Sequence, residues 1–132
     1  MNYKESFIST IEELTGEPIT EADGMEDSLI ERAPVAIPLS MKAYYSVCGN
    51  HQINTEHNRL LSPEQTYREG DHLVFAEENQ NVVIWGILLN EQQDDPIVFQ
   101  GQENEEKITW YSEEMTFSNF LLGMWKWQRG NE

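Results

Sequence analysis

Leu73-Val74-Phe75-Ala76-Glu77-Glu78-Asn79-Gln80-Asn81-Val82-Val83-Ile84-Trp85-Gly86-Ile87-Leu88-Leu89 decides the architecture. Two apolar runs, 73–76 and 82–89, flank a polar stretch of hairpin length, 77–81. The second run is rich in β-branched residues and contains Trp85, so the pair reads as an antiparallel hairpin. Downstream, residues 90–95 form an acidic turn, and 96–100 read as a third strand, with Pro96 at the position where a strand tolerates proline. Residues 101–107 read as a charged loop and 108–111 as a fourth strand. None of these connections is long enough for a helical crossover, so the sheet is expected to be antiparallel.

Helical patterns lie on either side. Phe7, Ile8, Ile11 and Leu14 form an apolar stripe that predicts a helix over 3–14, ended by Gly16 and Pro18. Residues 19–33 are acidic, with Met25, Leu29 and Ile30 as anchors for a short helix. Ile37, Met41, Tyr44, Tyr45 and Cys48 repeat at helical spacing behind Pro38, and Gly49 follows as a helix C-terminus prefers. Residues 50–72 are polar and carry turn signals. A closing helix starts near Phe117, with Thr116 as its N-cap. The order predicts a single domain over residues 1–132, of the α+β class. Its mostly antiparallel sheet has about four to six strands, with N-terminal helices and a C-terminal helix packed on it.

Charge limits what this domain can touch. Among 132 residues there are 8 Lys and Arg against 24 Asp and Glu, a formal net charge of -16. Such a chain repels phosphate backbones and anionic membrane surfaces, which excludes nucleic acid and membrane as partners and favours a basic one. One cysteine, Cys48, cannot form an internal disulfide, and no apolar run is long enough to span a bilayer. With no secretory leader visible, the cytoplasm is the expected location.

Catalytic signatures are missing. The chain has no phosphate-binding GxxxxGK[ST], no GxGxxG, no HExxH and no GxSxG. His51 and His57 share a polar loop and His72 adjoins an acidic turn, in no familiar metal spacing. No cofactor or metal is therefore expected. Cys48 lies on the apolar stripe of its helix, so it reads as a small core residue. The acids Glu77, Glu78, Asp94, Asp95, Glu103, Glu105 and Glu106 are expected to form one negative contact face. On the closing helix, Phe117, Phe120, Leu121 and Met124 trace one side, Trp125 lies off it and Trp127 near its edge. That is more apolar surface than one core contact requires, so Trp125 and Trp127 either pack inside or anchor a partner, and both are candidate binding residues.

Several segments, in this order, resemble the SUKH superfamily. These are Ile37-Pro38-Leu39 with Tyr44-Tyr45 and Gly49, the 73–80 and Val83-Ile84-Trp85-Gly86 hairpin, Asp95-Pro96-Ile97-Val98, and Phe117-Ser118-Asn119-Phe120-Leu121. The resemblance covers the chain from Ala36 onward. It implies helices on a mostly antiparallel sheet, and a binding module instead of an enzyme. Bacterial members of that superfamily neutralise toxins by direct binding. The expected function is thus immunity by occlusion of a basic toxin domain. The alternative is an intracellular scaffold or regulator of the same fold, using the Trp125 and Trp127 helix. Monomer and homodimer remain equally compatible with the sequence.

Overall fold

A computed structural model describes residues 2–90 and 92–130; Met1, Glu91, Asn131 and Glu132 lie outside that description. The helices are α1 (Tyr3–Thr15), the one-turn α2 (Asp27–Ile30), α3 (Leu39–Cys48) and α4 (Phe117–Gly130). The strands are β1 (Arg59–Leu60), β2 (Tyr67–Glu69), β3 (His72–Glu77), β4 (Val83–Leu88), β5 (Ile97–Asn104) and β6 (Lys107–Thr116). All pairings are antiparallel, in the order β1-β3-β4-β5-β6, with β2 also on β3. The chain is an α+β domain with a six-stranded sheet.

The decisive hairpin forms as its alternation requires. Glu78 N–H donates to the Val83 carbonyl at 3.0 Å, and Asn81 takes the left-handed conformation (φ 59°) that asparagine tolerates. Two parts of the sheet depart from expectation. The stretch 101–107 is strand on both sides of a tight turn at Glu105-Glu106, because β5 and β6 run beyond the helices, where a half-solvated ribbon can carry charge. The polar stretch 50–72 contributes β1 and β2, both too short to show a period of two.

One face of the sheet meets the helices. Leu73, Phe75, Trp85, Ile87 and Val98 join the core with Phe7, Ile11, Met41, Tyr44 and Phe117. A bulge between Val74 and Ala76 turns both Phe75 and Ala76 inward. Phe75 lies edge-on to Phe117, ring centroids 5.0 Å apart. Above it, α1, α3 and α4 close around an aromatic cluster in which Phe7 and Tyr44 lie 5.8 and 6.1 Å from Trp125. The Tyr45 hydroxyl donates to the Leu61 carbonyl at 2.7 Å, which satisfies a buried donor. Cys48 is fully buried and its thiol donates to the Tyr44 carbonyl, so burial pushes its pKa up, as a core residue requires. Among the described residues no helix is long and apolar enough to cross a membrane.

Candidate protein-binding surface

The acids expected to share a face are divided by strand connectivity. In an antiparallel meander, alternate turns fall at opposite ends. The register places the β3–β4 turn (78–82) beside the β5–β6 turn (105–106), since Val83 pairs with Gln102 and Lys107 with Asn104. Glu77, Glu78, Glu103, Glu105 and Glu106 therefore gather at one end of the sheet. Asp94 and Asp95 lie at the other end, in the β4–β5 connection, so the single seven-acid face does not exist.

Both of those aspartates hold the fold. Asp94 gives its backbone carbonyl to Ser40 N–H at 2.9 Å. Asp95 caps α4: its carboxylate accepts from Ser118 N–H at 2.9 Å and from the Ser118 hydroxyl at 2.6 Å. Thr116, the expected cap, accepts only a long bond from Asn119 N–H, 3.4 Å. Asp95→Ala is expected to lower stability by about 1–2 kcal/mol, the cost of a lost cap, in a denaturant titration.

The two tryptophans also part company. Trp125 is 0% exposed, and its role as a contact residue is corrected. Helix α4 lies between the sheet on one side and α1 and α3 on the other, so a second face of it is buried. Trp127 is 56% exposed and stands 5.2 Å from the His57 ring.

Trp127 rims an open apolar cleft of about 310 Å³ between α4 and the sheet. Trp85, Met115, Phe120 and Met124 line it, and Gly123 leaves its helical wall low. Trp85 is fixed from two sides: its ring packs 5.6 Å from Phe120, and its indole N–H donates to Glu113 at 2.9 Å. Gln100 donates to the same Glu113 oxygen at 3.3 Å. The far rim is polar. Asn58 accepts from Asn79 N–H at 3.2 Å and so ties that rim to the hairpin turn, where Glu78 projects. The cleft thus joins an apolar lining to the acidic end of the sheet, with Trp85 as its buried floor and Trp127 as the exposed aromatic of the kind that anchors interfaces.

Of the expected contact residues, Glu78 and Trp127 meet at this cleft. Glu105 and Glu106 form the neighbouring turn, with Glu105 in the left-handed region at φ 61°. Glu77 pairs with Arg59. In the sequence Trp85 reads as a core residue of its strand, and Met115 falls beyond the strand expected over 108–111, which the structure extends to Thr116 as β6. Among the described residues no group of three or more His, Cys, Asp or Glu side chains is placed to hold a metal ion. No family model, curated protein or solved structure matches the chain.

Proposed function

We propose that this protein is a SUKH-type immunity protein that binds a basic toxin domain and blocks it by covering its working surface. The reading is carried by the cleft: an open apolar lining with half-exposed Trp127 on its rim, set against Glu78 and the acidic turns of a chain with net charge -16. Met115 and Trp127 supply the exposed apolar area that excludes water, over a floor formed by the buried Trp85. The carboxylates at 78, 105 and 106 steer a basic surface toward it and replace the anionic groups such a surface attracts. The resemblance of the segments from Ala36 onward supports the same conclusion.

The test has two stages. Crosslinking in the source cell names the partner, which is then expressed alone and together with this chain. A basic polypeptide that arrests growth alone, and is tolerated beside the wild type, is the expected result. Trp127→Ala is expected to lose protection while remaining folded. The association rate is expected to fall at least tenfold as salt rises, through screening of the acidic end. A partner that is harmless alone replaces immunity by the scaffold reading, and an association rate indifferent to salt removes the electrostatic mechanism.

A further inference from the structure

Among the described residues no helix lies over the sheet's other face. The register puts Tyr67, Val74, Glu77, Ile84, Phe99, Gly101, Glu103, Ile108 and Trp110 there, and none of them belongs to the core shared with the helices. An antiparallel sheet that turns one face to water ordinarily presents polar side chains on it. Here aromatic and aliphatic side chains share the face with Glu69, Glu77 and Glu103, and it has a built topography. Trp110 of β6 lies across the sheet and stacks on His72 of β3, centroids 3.8 Å apart and planes 12° apart. Two glycines permit this. A Cβ at Gly101 would stand 2.9 Å from the Trp110 ring, and one at Gly86 would stand 2.9 Å from the Leu73 carbonyl oxygen and 3.3 Å from the His72 Cβ. His72 is 8% exposed and neither ring nitrogen has a partner. Burial lowers its pKa against the opposing pull of Asp71, which keeps it neutral near pH 7 and adds no positive charge to the face.

Beside this plate lies a groove of about 190 Å³. Ile84 and Ile108 give it aliphatic walls and Gly101 leaves its floor open. Glu69, Glu77 and Glu103, from three different strands, surround the Tyr67 hydroxyl, which donates to Glu77 at 3.3 Å. Burial first, then these three carboxylates, push the tyrosine's pKa up to about 12. Arg59 already places a guanidinium on Glu77. Glu69 and Glu103 form no ion pair among the described residues.

We propose that this groove is a second docking site, and that its occupant is an arginine side chain of a basic partner polypeptide, its methylene stem along Ile84 and Ile108 and its guanidinium between Glu69 and Glu103. The complementarity is of two kinds. An arginine stem buries apolar surface while its head stays polar, which fits walls of isoleucine ending in carboxylates. A planar guanidinium can bond two carboxylates at once, and Arg59 already shows one such contact, to a single oxygen of Glu77. A bare metal ion does not fit, because these acids are not placed to hold one. The site is on the opposite face from the cleft, so it stands whether or not the partner is a toxin.

The probe is an acetylated, amidated tetra-arginine peptide, titrated into the full chain at low salt and followed by amide NMR shifts. Shifts are expected at Tyr67, Gly101, Glu103, Ile108 and the Trp110 indole. The double variant Glu69→Gln/Glu103→Gln is expected to weaken binding at least fivefold. Glu5→Gln/Glu13→Gln removes the same charge from the exposed side of α1 and is expected to change it less than twofold. Trp127→Ala, which disables the cleft, is expected to leave peptide binding unchanged. Equal weakening by the two double variants, or shifts confined to Glu78 and the turn at 105–106, would show diffuse attraction to an acidic chain and overturn the site. Binding of tetra-lysine with the same affinity and shifts would overturn the assignment to arginine.

Discussion

Trp125→Ala is expected to cost about 3–5 kcal/mol, the range for removing a large buried aromatic, which is a large part of the about 5–15 kcal/mol that whole domains hold. The ring is completely buried and packs against Phe7 from α1 and Tyr44 from α3. Its loss opens a void where three helices meet. The indole N–H is buried without a partner, so the ring contributes through shape and area and not through a hydrogen bond. Trp125→Phe is therefore expected to recover most of the loss. Trp127→Ala, two residues away on the exposed side, is expected to shift stability by no more than about 0.5 kcal/mol. Urea titrations followed by far-UV circular dichroism separate the three variants. Equal costs at the two positions would contradict the placement of α4 between the sheet and the other helices.

Gly24→Ala is expected to have the second-largest effect, about 2–3 kcal/mol, the upper part of the usual overpacking range. A Cβ there would stand 2.0 Å from the Ser46 carbonyl oxygen and 3.0 Å from its carbon, both backbone atoms of α3. The segment cannot retreat freely, because it is bonded on each side of the contact. Met25 N–H donates to the Tyr45 carbonyl at 2.9 Å, and Asn50 N–H to the Asp23 carbonyl at 2.9 Å. The Asn50 side chain donates to the Gly24 carbonyl itself at 2.9 Å. Relief of the clash means breaking some of these bonds, so hydrogen exchange at the amides of Met25 and Asn50 is expected to quicken along with the fall in melting temperature. A variant as stable as the wild type would mean that the 20–26 segment does not press on α3.

Much of this architecture was legible because its signals are local. The β3–β4 hairpin, α1, α3 and α4 each carry their period within about a dozen residues. The rest depends on neighbours far away in sequence. Residues 101–107 read as loop because Glu103, Glu105 and Glu106 interrupt any apolar pattern, yet an edge ribbon that outruns its helices needs none. Trp125 lies off the face traced by Phe117 and Leu121, and only the arrival of Phe7 and Tyr44 makes its side of the helix interior. By residue type the acids look alike, and only the alternation of turns sorts them into two ends. Asp95 was visible as an acid, but its bond to Ser118 is a matter of where β4 delivers the chain. The cleft shares this origin: Trp85, Met115 and Trp127 come from three elements, and only Trp127 stands out in sequence, as a surplus aromatic on its helix.

The contact of Phe7 with Trp125 joins the first helix to the last. During synthesis, β3 to β6 are sequential neighbours and can pair as they leave the ribosome, but the layer that covers their apolar side is completed only by residues 117–130. A nascent chain of this protein thus passes through an interval in which Leu73, Phe75, Ile87 and Val98 have strands to sit on and only α1 and α3 to cover them. That interval is when chaperones have most to bind, and slowing translation just ahead of α4 would prolong it.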